Sequence, residues 1–335
     1  MLKLIYLFAF FLFSSCATTK PSPEWIYNRE YVFPADTYIA ALGSGSSKEH
    51  AKNNALAEVS RYIKTEVNST IETNFKSETI DGKNSIIKDV IRNVSVTSST
   101  TLNNIEYTAP YFSRKEKEWY CIAYISREKA WELYRVNIEQ EKKSFYSVYD
   151  RIPDNNPLKA YIWSSRAQEA ASTFLEKLLV GDFINPREEQ NNYSKDRQLI
   201  ADLPGQHLHY KEQITAEIKV NNDADNILLA QLNKEFSELG FIIQAPANSA
   251  RYFIFAEIDL NEHETIDDGD TIFTDMPSLF LSITDGKESI YSYSARTAKK
   301  ILSFSLNDVR MKSVQALIEI IQSELQSDFT RKMSD

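Results

Sequence analysis

Apolar residues run without a break from Leu4 to Phe13. Lys3 precedes the run, and Ser14, Ser15 and Cys16 follow it. A positive start, a short apolar stretch and small residues at its end describe an export signal. The run is half the length of about twenty residues that a membrane-spanning helix needs. Pro21, Pro23 and Pro34 then predict an extended, non-helical tether over 16–36. Tyr38–Gly45 reads as a strand that runs into a glycine turn. Ser46 or Ser47 is placed to cap a helix whose face carries Ala51, Ala55, Val59, Tyr62 and Ile63. Segments 66–79 and 86–107 are rich in Val, Ile, Thr and Ser and predict two strands joined at Asp81-Gly82-Lys83. A further strand is expected over 117–126.

Beyond it the period changes to that of helices. One stripe holds Trp131, Tyr134, Ile138, Phe145 and Val148. After the break at Pro153–Pro157, a second holds Trp163, Ala167, Ala170, Ala171, Phe174 and Leu178. These predict a helical hairpin, and the polar segment 181–212 with Gly181, Pro186 and Pro204 is expected to be a linker. The rest reads as a strand from Ile214 to Val220, a helix over 224–239 stopped by Gly240, and strands at 241–244, 251–261, 278–284 and 288–297. A last helix is expected over 305–328. The expected fold class is α+β: two small modules, each an antiparallel sheet packed with helices, joined by the hairpin. The predicted organisation is a signal at 1–15, the tether at 16–36, an N-terminal module at 37–135, the hairpin at 136–180, the linker at 181–212 and a C-terminal α/β module at 213–330.

Charge narrows the choice of partners. The 335-residue chain carries a net charge of −9, and removing the signal with Lys3 makes it more negative. An acidic chain with no basic block is not built to bind nucleic acid or to grip anionic lipid by charge. The two cysteines are Cys16 and Cys121. Cys16 stands at the end of the export signal, and Cys121, inside an apolar strand, reads as a small buried hydrophobe.

Candidate chemistry is sparse. Gly43-Ser44-Gly45-Ser46-Ser47 before a helix has the form of a phosphate cradle. It lacks the Lys-Ser/Thr end of a P-loop and the third glycine of a dinucleotide fingerprint, so a tight strand-to-helix turn is expected. His207 and His209, with Glu212 nearby, have too few companions for a zinc site. Asp267-Asp268-Gly269-Asp270 lacks the spacing of a calcium loop and is expected to be a solvated acidic loop. No nucleophile elbow, zinc-protease helix or paired-cysteine motif is present. The expectation is a non-enzymatic protein with no catalytic residues, no cofactor and no metal.

Ser14-Ser15-Cys16 behind the apolar run resembles the bacterial lipobox, with Phe13 standing where leucine is usual. The resemblance implies lipid attachment at Cys16, which becomes the first residue of the mature chain. Pro23-x-Trp25, the strand Tyr38–Gly45 leading into a helix with Ala51 and Ala55, and the aromatic strand 119–125 resemble the Lpp-twenty family of bacterial envelope lipoproteins. That resemblance spans about residues 21–135, and Leu42 stands where the family usually has valine. It implies a lipid-anchored, non-enzymatic protein at the outer membrane facing the periplasm, serving secretion, motility or cell-wall assembly. Its partners would be the membrane, through acyl chains, and an envelope or peptidoglycan-associated component. The alternatives are a surface-exposed adhesin or antigen and, further off, an envelope hydrolase with a carboxylate pair.

Overall fold

The computed structural model describes residues 22–75, 104–244, 250–267 and 270–334. Cys16 and the expected turn at 81–83 lie outside the described residues, as does most of the two strands expected beside that turn. The class is α+β, with several small sheets packed against helices. Two compact units are present. The first runs to Asn74, resumes up to Ile138 and takes Leu178–Asn192; the second takes Glu139–Lys177 and continues from Tyr193.

The first unit opens with two single-turn helices, α1 (Glu24–Tyr27) and α2 (Arg29–Val32), where the prolines had predicted extended chain. Pro23 is the N-cap of α1, just ahead of its first turn, where its missing N–H costs nothing. Strand β1 (Tyr38–Gly45) pairs antiparallel with β4 (Glu118–Ser126), from Tyr38 opposite Ser126 to Gly45 opposite Trp119. The short strands β2 (Glu106–Tyr107) and β3 (Tyr111–Ser113) also pair with β4. Ile39, Ala41, Gly43, Cys121, Ala123 and Ile125 share one buried sheet face. Helix α3 (Lys48–Phe75) brings Ala51, Ala55, Val59, Ile63 and Val67 to the core. These positions recur every four residues, one stripe of a helix. Val67 extends the stripe, so residues 66–75 continue α3 and are not the strand their β-branched composition predicted. Ser47 caps α3 by accepting from the His50 N–H at 3.1 Å.

Three long helices follow: α4 (Arg127–Tyr149), α5 (Pro157–Ile184) and α6 (Pro186–Glu212). The expected linker at 181–212 is therefore helical, and Pro204 lies inside α6. Pro186 sits at the first helical position, where its fixed φ suits a helix. Glu189, Tyr193, Asp196, Ile200 and Leu203 form the buried face of α6 at spacings of four and three. Within the first unit, Arg127 donates to the carbonyls of Ala35 at 2.7 Å, Phe183 and Ile184 at 3.0 Å, which ties the start of α4 to the end of α5. Within the second, the rings of Phe145 and Phe174 lie 5.7 Å apart.

The main sheet of the second unit has the order β11-β10-β7-β5-β6. Its strands are β5 (Thr215–Asn221), β6 (Ile242–Ile243), β7 (Tyr252–Asp259), β10 (Ser278–Asp285) and β11 (Glu288–Arg296). It is mixed rather than antiparallel throughout: β5 runs parallel to β6 and β7, because the connection from β5 passes through α7 (Ile227–Glu238). Gly240 ends α7 at φ +97°, with Phe241 N–H bonded to Phe236 C=O and Gly240 N–H to Ser237 C=O. This is the Schellman pattern, and it needs a residue free of a Cβ penalty at that φ. Helix α8 (Leu306–Ser334) and α7 contribute Leu228, Leu232, Phe236, Leu317, Ile321, Leu325 and Phe329 to one core with the inward residues of the sheet. The sequence did not reveal a separate antiparallel sheet of β8 (His263–Asp267), β9 (Asp270–Asp275) and β12 (Ile301–Ser303). Every residue of β8 is exposed, so no buried face imposes an alternating pattern.

Candidate functional site

The glycines before α3 serve close packing. A Cβ on Gly43 would lie 2.1 Å from the Ala55 backbone nitrogen and 2.3 Å from the Ala51 carbonyl oxygen. One on Gly45 would lie 2.7 Å from His50 Cβ. The turn that resembled a phosphate cradle thus presses a strand against a helix.

Cys121 is buried, and burial pushes its thiol up from the ordinary range. Its Sγ lies 3.4 Å from the Thr108 carbonyl, while Thr108 Oγ1 accepts from the Ile122 N–H at 3.0 Å. A buried thiol set against a backbone carbonyl in a strand serves as a packing group.

His207 and His209 lie on α6 but do not converge. The His207 ring stacks on Tyr161 with centroids 4.5 Å apart, and its Nδ1 bonds Ser164 Oγ at 2.8 Å. Burial lowers its pKa. The ring of His209 meets Gln213 at 2.8 Å. Positions two apart on a helix point about 200° from each other. Among the described residues, no three His, Cys, Asp or Glu side chains group as metal ligands. Asp267 and Asp270 face each other at the β8–β9 hairpin, and Asp268 and Gly269 lie outside the described residues.

A polar cluster joins α4 to α6 in the second unit. Asp196 is buried and accepts from Lys142 Nζ at 2.7 Å and from the Tyr146 hydroxyl at 2.8 Å. Tyr193 donates to Glu139 at 2.6 Å. Desolvation first, then the hydrogen bond to Asp196, pushes the Tyr146 phenol up to about 12 from 10. A folded-state value above the unfolded one stabilises fully below pH about 10 and is lost as pH rises toward 12. Tyr146→Phe is therefore expected to reduce the loss of stability between pH about 10 and 12, as read by urea unfolding at stepped pH.

Among the concavities formed by the described residues, two lie beside strands β1 and β5. One, of 980 Å³, lies beyond the carboxyl ends of the parallel strands β5 and β7, a common ligand position in open sheets. Three of the five charged residues that line it are engaged in structure: Asp223 accepts from the Leu229 N–H at 2.8 Å, and Glu262 binds Arg310 at 2.9 Å. The other, of 360 Å³, lies along β1, between the α2 region and α3. Ala40, Ala41 and Leu42 form its floor, with Phe33, Tyr38 and Tyr62 around it. Composition did not single out these strand residues. The available signal was the lack of any charge or proline in Tyr38–Gly45.

Among the described residues, no helix is long and apolar enough to cross a membrane. Residues 23–125 match the model of the LPP20 lipoprotein family. This match supports a lipoprotein of the bacterial envelope. Similar solved structures include a secreted protein of Helicobacter pylori, 17% identical, covering 86% of this chain and 98% of that one at a TM-score of 0.35. A minor lipoprotein of Acinetobacter baumannii is 13% identical and covers 37% of this chain and 94% of that one at 0.25. A lipoprotein of Neisseria meningitidis is 13% identical and covers 33% and 99% at 0.20. Likenesses at these TM-scores define neither the fold nor the function. No curated protein matches the chain.

Proposed function

We propose that the protein is an acylated lipoprotein held at the outer membrane, facing the periplasm, and that it works by binding rather than catalysis. Cys16 carries the acyl chains. The partner is another envelope component, in a secretion, motility or cell-wall assembly. The observation that carries this reading is the LPP20 match beginning at residue 23, a few residues behind the export signal at 1–15 and Cys16. The pairing of polar groups described above adds support, since Lys142 is paired with Asp196 and, separately, Arg310 with Glu262.

The test is the mass of the mature N-terminus from detergent-extracted cells. A diacyl or triacyl mass on Cys16 is expected, because a single chain binds membranes only marginally. Cys16→Ala is expected to leave the membrane fraction. An unmodified N-terminus on a soluble protein overturns the anchor. For the binding role, in-cell crosslinking is expected to join the anchored protein to an envelope component, and the absence of any crosslink overturns it.

A further inference from the structure

An open sheet edge is a hazard that proteins guard with charge, proline, bulges or brevity. The other edges here carry such guards. β6 has two residues and β12 three, β8 carries Glu264 and Asp267, and β11 carries Glu288 and Arg296. β1 differs from all of them. It is eight residues long, reads Tyr-Ile-Ala-Ala-Leu-Gly-Ser-Gly, and pairs with β4 without a bulge. Among the described residues, no strand pairs with its other side.

The hydrogen bonds show which backbone groups that side presents. In an antiparallel strand, the N–H and C=O of one residue point the same way, and the direction alternates. Thr37 C=O accepts from the Arg127 N–H at 2.8 Å, so odd-numbered residues face β4. Even-numbered residues face away. Tyr38 N–H donates to Pro34 C=O at 2.8 Å, and Ser44 C=O accepts from Asn54 Nδ2 at 2.7 Å. These two bonds close the ends of the edge. Between them, the N–H and C=O of Ala40 and of Leu42 have no partner among the described residues, and both residues line the 360 Å³ groove. Its charged walls are self-paired: Arg61 with Glu58 at 2.9 Å and Arg29 with Glu30 at 3.0 Å. Such a groove complements a neutral segment rather than a charged one.

We propose that the β1 edge takes up an extended, neutral peptide segment of a partner protein as an added strand, bonded to Ala40 and Leu42. The inference rests on the binding role above and names its site and the chemistry of its partner. An aliphatic side chain of the segment would meet the rings of Phe33, Tyr38 and Tyr62.

The test pans phage-displayed short linear peptides against the purified mature chain, then titrates the selected peptide in synthetic form. Hydrogen exchange is expected to slow across Tyr38–Gly45 on binding. Ala40→Pro removes an outward N–H while sparing the ladder to β4, a change tolerated on edges. It is expected to weaken the peptide at least about tenfold. Thr65→Trp, which fills the groove from α3 and leaves β1 untouched, is expected to do the same. Failure to select any peptide overturns the inference, as does a selected peptide whose affinity both variants leave unchanged. So does a dimer of the chain that Ala40→Pro dissolves and that binds no peptide, because a second copy then occupies the edge. None of these failures alters the acyl mass on Cys16 or the envelope crosslinks. Conversely, loss of the anchor leaves peptide binding measurable in solution.

Discussion

Gly43→Ala is expected to destabilise the first unit by at least about 3 kcal/mol, enough to threaten a domain whose total stability is of order 5–15. Local preference argues for the opposite sign. Glycine inside a strand costs roughly 0.5–1 kcal/mol relative to alanine. Packing decides the outcome, because the added methyl would sit 2.1 Å from the Ala55 nitrogen and 2.3 Å from the Ala51 oxygen. Both are backbone atoms of α3, which cannot step aside by changing rotamer. The helix or the strand must move by more than an ångström, and the buried stripe Ala51, Ala55, Val59, Ile63 and Val67 moves with it. Overpacking costs of about 1–3 kcal/mol apply where side chains can yield, and here they cannot. Gly205→Ala is the control. Nothing lies within 4 Å of its Cβ position, it sits inside α6, and a gain of up to about 1 kcal/mol is expected from helix propensity. Urea unfolding followed by circular dichroism checks both. A Gly43→Ala chain as stable as the parent would show that the strand–helix approach is not what holds the first unit together.

That turn also shows where the sequence was informative. The strand Tyr38–Gly45, the helix behind Ser47 and the hairpin from Ser278 to Arg296 are readable because each has one dry face and a turn residue marking its end. Gly240 was readable as a helix stop for the same reason. Helix α6 was hidden because two positions of its buried stripe, Glu189 and Asp196, are charged. A reading of apolar spacing sees only Tyr193, Ile200 and Leu203, and Pro204 and Gly205 then suggest a break. Partners on neighbouring helices, such as Lys142 and Tyr146 for Asp196, make that burial tolerable, and they are not visible along the chain. The end of α3 is helical despite its β-branched residues, whose strand preference is weak and is overridden by packing. The candidate site was half legible. The β1 strand was evident, but its position at an edge belongs to the pairing order, which local pattern does not encode.

Phe329→Ala is expected to cost the second unit about 3–5 kcal/mol, the range for emptying a fully buried aromatic position. Phe329 is 1% exposed and lies near the end of α8. Its ring stands 5.0 Å from Tyr291 on β11, 6.0 Å from Phe241 and 6.4 Å from Phe236 on α7. The three ring planes are inclined to it by 72°, 63° and 88°. Edge-to-face pairs of this kind add roughly 0.5–1.5 kcal/mol beyond the area they bury. Removing the ring leaves a space bounded by a strand, a helix and the Gly240 turn. Collapse into it is resisted, because Gly240 is held by its own hydrogen bonds and Tyr291 is anchored to Asp328 at 3.0 Å. The cost therefore belongs in the upper part of the range. For a unit of this size the melting temperature is expected to fall by on the order of 10 °C. Phe304→Ala removes a ring of the same kind that is 70% exposed, and a change within about 0.5 kcal/mol is expected. Equal losses from the two substitutions would mean that the aromatic cluster around Phe329 is not the centre of the second core.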